Sequence, residues 1–138
     1  MKRKTKKIKP LPKLIKEIDA LVSKYVRMRD GKCVTPSPKC TKVLQCSHLI
    51  RRGKGATRFD LRNCNCQCSY HNYLHNYSPE IYTQWFINKF GENVYNELVN
   101  RSNKIKKYTR LELENLKVAL NVELENLRLK IDNFGEIY

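Results

Sequence analysis

The sequence predicts an α+β fold in which a small strand–loop–strand–helix core is flanked by helices and followed by one long C-terminal helix. Three observations predict it. All six cysteines and all three histidines fall between Cys33 and His75, so one short stretch carries the reactive side chains. On both sides of that stretch, apolar residues recur at three- and four-residue steps, as in amphipathic helices. Inside it the apolar runs are short and bounded by proline, glycine and basic residues, which suits strands and loops.

At 138 residues with 41% hydrophobic content the chain predicts one domain with a modest core. No apolar run approaches the roughly 20 residues of a membrane span. The opening MKRKTKKIKP is basic but leads into no apolar segment, so a soluble cytoplasmic protein with no membrane partner is expected. Net charge is +15, from 28 Lys and Arg against 13 Asp and Glu. Residues 1–108 hold 24 basic and 7 acidic side chains, whereas residues 109–138 hold 4 and 6. A polyanion should therefore meet the first three-quarters of the chain. Nucleic acid is the expected partner, since each neutralised phosphate releases counterions.

Residues 1–11 read as a basic arm, disordered without its partner. From Pro12, Leu14, Ile15, Ile18, Leu21, Val22, Tyr25 and Val26 form one helical stripe, which Asp30-Gly31 stops. Two prolines between Cys33 and Cys40 make a rigid loop. Residues 43–46 read as a strand delivering Ser47 and His48 to its end. Arg51, Arg52, Gly53, Lys54 and Gly55 form a basic loop, residues 58–61 the returning strand, and residues 68–76 the start of a helix.

Farther on, Ser78-Pro79-Glu80 is a helix start, with Ser as cap and Pro at the first helical position. Ile81, Trp85, Phe86 and Phe90 form its core side, and Gly91 closes it. Val94, Tyr95, Leu98 and Val99 mark another short helix. Thr109 caps a long helix to about Ile131, whose Leu113, Leu116, Leu120, Leu124, Leu127 and Ile131 stripe suits either packing on its own domain or a homodimer seam.

A tetrahedral zinc takes four sulfur or nitrogen ligands, supplied as two close pairs. Cys68-x-x-His71 has the spacing of one such pair. Cys33 and Cys40 are the upstream pair, with six residues between them instead of the usual two to four. Cys46, Cys64 and Cys66 remain as spares, and Cys66 competes for a ligand position because Cys64, Cys66 and Cys68 alternate along an extended segment. Buried reduced thiols are the plain alternative. Four filled positions would give a structural zinc, not a catalytic one.

His48 ends a strand beside the basic loop, and an imidazole with a pKa near 6.5 suits proton abstraction from water. Asn63 lies 15 residues on, and Asn72 directly follows His71. A histidine at a strand end, an asparagine in the next loop and a zinc knuckle opening a helix resemble the HNH, or ββα-metal, nucleases. The knuckle followed by asparagine resembles phage endonuclease VII. Closer still, residues 25–31 (YVRMRDG), 46–53 (CSHLIRRG), 57–63 (TRFDLRN) and Gln67-Cys68 look like the phage NinG/Rap recombination endonucleases, over about residues 24–76.

That resemblance implies a zinc-stapled ββα-metal core and a metal-dependent endonuclease that cuts branched recombination intermediates such as D-loops and Holliday junctions. It implies His48 as general base, Asn63 as the residue that holds the His-bearing loop or orients the base, and Asn72 as a ligand of a catalytic magnesium or manganese. Cys33, Cys40, Cys68 and His71 would hold structural zinc. Arg51, Arg52, Lys54 and Arg58 would bind DNA phosphates, which positions the substrate without reading sequence. Three departures stand out: the split Cys33/Cys40 pair, His71 in place of the family's last thiolate, and Ser47 where endonuclease VII-like sites carry an aspartate. Asp60 is the nearest candidate to supply that charge to the ion, with His75 a second possible approach. The domain reading is an arm (1–11), a zinc-containing HNH-like nuclease domain (12–108) and a C-terminal helix (109–138) for packing or dimerisation. A non-catalytic zinc module that binds nucleic acid is the rival, and a sequence-specific HNH nuclease ranks third.

Overall fold

The computed structural model describes residues 5–134. Its first element, α1 (Leu11–Asp30), buries Leu14, Ile18, Val22 and Val26, one face of the predicted stripe. Gly31 ends it in the left-handed region at φ 66°, where a side chain would be strained, and donates its N–H to the Arg27 carbonyl. A loop then leads to β1 (Leu44–His48), which pairs antiparallel with β2 (Cys64–Cys68). Between them lies a short 3-10 turn, Gly55–Thr57. Four helices follow: α2 (Ser69–Leu74), α3 (Glu80–Phe90), α4 (Glu92–Ser102) and α5 (Arg110–Phe134).

The returning strand differs from expectation. Residues 58–61 do not pair with β1; residues 64–68 do, in the register Cys46↔Cys66 and His48↔Cys64. Phe59 is instead a core residue, and Asp60 is a turn carboxylate that accepts the Arg62 N–H at 2.8 Å. Strand β2 alternates thiol and amide side chains, and both of its faces are buried: Cys64 and Cys66 pack towards α1, while Asn65 and Gln67 face α3 and the Cys33 loop. The segment holds none of the β-branched or aromatic residues that mark strands, and its buried amides find their partners only across the fold.

One core cluster joins α1, β2 and α5 around Ile18, Val22, Cys64 and Leu113. A second joins α3 and α4 around Tyr82, Phe86 and Leu98, with Leu49 at its edge. In α3 the core position is Tyr82, 1% exposed, while Ile81 is 42% exposed. Tyr82 is the residue whose hydroxyl finds partners there: it donates to the Ser47 carbonyl at 2.8 Å and accepts from Asn65 Nδ2 at 3.0 Å. The helix starts at Glu80 after Pro79, and no side-chain cap from Ser78 forms. By contrast, Thr109 and Glu112 cap α5 reciprocally, each side chain accepting the other's backbone N–H. Helix α5 lies along α1 and buries Leu113, Leu120, Leu124 and Leu127.

Within the arm, residues 1–4 lie outside the described residues. Lys9 pairs with Glu17 of α1 at 2.7 Å, and Glu17 also meets Lys117 of α5 at 3.0 Å. The two ammonium groups, through hydrogen bonds, hold the Glu17 carboxyl down at about 2. Among the described residues, no helix is long and apolar enough to cross a membrane.

Candidate metal centre and cleft

Four elements bring Cys33, Cys40, Cys68 and His71 together. Cys33 follows the α1 cap, Cys40 closes the loop, Cys68 ends β2 and His71 lies on α2. Their ligand atoms all lie within 4.8 Å of one another. The His71 Nδ1 is 3.6 Å from Cys33 Sγ, 3.4 Å from Cys40 Sγ and 3.0 Å from Cys68 Sγ. Sulfur and nitrogen on one tetrahedral zinc lie about 3.6 Å apart, so two of these distances already match and the third needs only a small opening. The His71 Nε2 faces Ser37 Oγ at 3.1 Å, so a proton on Nε2 leaves the Nδ1 lone pair turned towards the three sulfurs.

The six-residue spacer thus has a physical role. It turns through the Cys40 N–H to Ser37 carbonyl bond, docks on β2 through the Val34 N–H to Cys66 carbonyl bond, and supplies the hydroxyl that orients His71. Burial alone would raise the Cys68 thiol; backbone donors from His71 and Thr41, with the His71 side chain, bring it down to about 6. A residue inclined towards thiolate is what a metal ligand requires. Cys64 and Cys66 stand outside this tetrad. Burial pushes the Cys66 thiol up to about 12, in keeping with a core residue.

Next to the centre a cleft of about 1030 Å³ opens between α1, β1 and α2. His48, Arg51, Arg52, Asn72 and His75 line it, together with Asp19, the one carboxylate among its lining residues. His48 Nε2 lies 3.0 Å from the Arg58 carbonyl oxygen. A carbonyl only accepts, so Nε2 carries the proton and Nδ1 keeps an unprotonated lone pair. Burial lowers the His48 pKa below the ordinary histidine value, against the pull of the Arg58 carbonyl and Asp19. Burial thus favours the neutral ring over the imidazolium.

Asn63 is fully buried and uses its whole amide on the loop between the strands. Oδ1 accepts the Ile50 N–H at 2.8 Å, and Nδ2 donates to the Ile50 carbonyl at 3.1 Å and the Thr57 carbonyl at 3.0 Å. It makes no hydrogen bond to His48; it closes the loop that carries Arg51, Arg52 and Lys54 and that presents the Arg58 carbonyl. Asn72 donates Nδ2 to Gln45 Oε1 at 2.8 Å, which fixes which way its Oδ1 points. His75 Nε2 faces the Leu49 carbonyl at 2.8 Å, and its buried Nδ1 takes no hydrogen bond among the described residues.

Three residues lie elsewhere than the sequence suggested. Asp60 does not line the cleft: its carboxylate meets Arg101 at 2.5 Å and Arg62 at 3.4 Å, and these partners lower its pKa against the raising effect of burial. The Arg58 guanidinium holds the Asp19 carboxylate through two bonds, at 3.0 and 2.5 Å, and so ties the loop to α1. Lys54, half-buried, is not among the cleft residues. Ser47 points to the opposite face of the sheet, where it donates to Gln67 Oε1 at 2.6 Å. A carboxylate at that position would be buried there, not presented to the cleft.

Sequence reasoning missed a bracket at the end of α1. Arg29 donates to the Leu61 carbonyl at 2.8 Å, the Cys64 carbonyl at 2.9 Å and Asn65 Oδ1 at 3.0 Å. It also pairs with Asp30, whose Oδ2 accepts the Cys66 N–H at 2.8 Å. These two side chains hang β2 from α1. An adjacent Arg-Asp pair just before a helix-ending glycine was the available signal, inside the YVRMRDG stretch.

Fold and site together define a small α+β protein in which a two-stranded hairpin and a helix carry a Cys3His cluster able to hold a metal, beside a basic cleft. The family model described as Bacteriophage Lambda NinG protein matches residues 1–130, and the chain belongs to that family of bacteriophage proteins. Among curated proteins and among solved structures, none matches the chain.

Proposed function

We propose that this NinG-family protein is a metal-dependent, structure-selective DNA endonuclease of the HNH type. It hydrolyses phosphodiesters in branched recombination intermediates such as D-loops and Holliday junctions. One observation carries the reading: His48 stands in a cationic cleft with Nε2 tied to the Arg58 carbonyl, which keeps Nδ1 bare as a proton acceptor. His48 Nδ1 takes the proton of a water whose oxygen attacks phosphorus. Arg51 and Arg52, exposed at the rim, hold the flanking phosphates. Asn63 is a positioning residue: it closes the loop that bears both arginines and the Arg58 carbonyl.

Cys33, Cys40, Cys68 and His71 would hold zinc as a staple, with no ligand position left for substrate. Magnesium or manganese, when bound, supplies charge neutralisation at the phosphate undergoing attack. Its protein donors in the cleft are few: the Asn72 amide oxygen, and an Asp19 carboxylate already engaged by Arg58. These two side chains would leave most of such an ion's coordination to oxygens from outside the protein.

The sparse set of hard donors also favours a second reading, a zinc-containing nucleic-acid-binding protein without catalysis. One experiment divides them. A four-way junction and a linear duplex of matched sequence are incubated with the protein and magnesium or manganese. The nuclease reading expects the junction to be cut, and His48→Ala to bind it with unchanged affinity while cutting at least a hundredfold more slowly. Binding without cutting in either ion supports the second reading, and equal cutting of both DNAs removes structure selectivity.

A further inference from the structure

From the sheet face beneath the cleft we infer that Cys46, His48 and Cys64 form a second, three-ligand site for a thiophilic divalent ion such as zinc, and that loading it silences His48 as a base. Cys46 and His48 are two residues apart on β1, so their side chains share a face, and the antiparallel register sets Cys64 directly opposite His48. The three donor atoms lie within 4.8 Å of one another. Cys64 Sγ and His48 Nε2 both face the Arg58 carbonyl, at 3.5 and 3.0 Å. Two ligands on one tetrahedral zinc lie about 3.6 to 3.8 Å apart, so the trio has to close by no more than about 1 Å.

Access comes from the cleft, which Cys46 and His48 both line. Two thiolates and one imidazole make a soft donor set that selects zinc over magnesium. The fourth position opens to the cleft and takes water or a substrate oxygen. This distinguishes the site from the Cys3His cluster, where the protein fills all four positions.

Loading expels the two thiol protons to solvent and leaves the imidazole neutral with its single proton. If the ion takes Nδ1, the proposed base is occupied. If it takes Nε2, the ring proton moves to Nδ1, and the Arg58 carbonyl loses its donor. Either way no bare ring nitrogen remains, so zinc at this trio and proton abstraction by His48 exclude each other. The metal site stands on its own geometry; its effect on cleavage rests on the nuclease reading proposed above.

The test uses full-chain protein and zinc alone, in competition with a chromophoric chelator that reports stoichiometry and affinity. The expected result is two equivalents of distinct affinity. Cys46→Ser should weaken the second at least tenfold and leave the first unchanged, which also reports that the variant is folded. His48→Ala should weaken the same equivalent. One equivalent only, or a second that ignores Cys46→Ser, overturns the site. In the junction assay, zinc titrated against fixed magnesium should inhibit the wild type as the second equivalent loads, and Cys46→Ser should resist it. A loaded second equivalent with undiminished cutting overturns the exclusion. Two equivalents in a protein that cuts nothing support the metal site and remove the nuclease reading, so the two failures are told apart.

Discussion

Replacing Asn63 with alanine removes three hydrogen bonds at one buried point, which makes it the sharpest probe of how the cleft is built. The Ile50 N–H, the Ile50 carbonyl and the Thr57 carbonyl all lose their partner, and Asn63 and Thr57 are both 0% exposed. At about 1 kcal/mol for each bond and no ready access for water, the loss comes to about 3 kcal/mol. For a chain of 138 residues the unfolding entropy is about 0.3 kcal/mol/K, so Tm should fall by about 10 °C. Thermal and urea unfolding of zinc-loaded protein, followed by circular dichroism, measures it. Asn63→Asp is the companion: it keeps the acceptor for Ile50 but sets a carboxylate oxygen against two carbonyls, and should destabilise at least as much at neutral pH. A loss below about 1 kcal/mol for the alanine variant, or an aspartate variant as stable as the parent, would refute the loop-closing role.

Three further outcomes follow from the same contacts. Arg29→Lys keeps a charge but cannot reach the Leu61 and Cys64 carbonyls and Asn65 together, so it should cost about 3 kcal/mol in urea unfolding; a change within about 0.5 kcal/mol would show that β2 does not hang from α1. The Glu17 carboxyl should titrate near 2 by NMR, because Lys9 and Lys117 stabilise its charged form. Its folded pKa lies below its unfolded one, so this contribution is present above about 4.5 and lost as pH falls through about 2; Lys117→Ala should move the midpoint upward, and an unmoved midpoint counts against the bridge. Stripping zinc with a chelator should unfold the hairpin and α2, since structural zinc contributes roughly 10–16 kcal/mol against the roughly 5–15 kcal/mol that a domain holds in total. Hydrogen exchange at the Cys64–Cys68 amides reads this, and unchanged protection in metal-free protein sinks the staple.

What could be read from the chain follows from which interactions are local. The stripe of α1, the αL glycine at 31, the Thr109 cap and the Cys68-x-x-His71 pair depend on neighbours within a turn or two, and each is found where its residues predict. The returning strand was displaced because β2 holds no β-branched or aromatic residue to mark it, while the Phe59 side chain imitates a strand. Asp60 and Arg58 lay within a few residues of the right loop, but their partners, Arg101 and Asp19, sit 41 and 39 residues away. Proximity in sequence cannot say which of two nearby charges has already been matched across the fold.

The cysteines show why that limit matters for function. Three of them looked spare beside the staple, yet pairing β1 with β2 in this register brings two of them together with His48, which spacing alone could not show. The pleat that sets Cys46 and His48 on one face of β1 turns Ser47 to the other, and the register adds Cys64 opposite His48. On the two proposals above, the same sheet face would offer an imidazole to a phosphate and two thiols to zinc. A one-residue shift in pairing would take Cys64 off that face and abolish the trio.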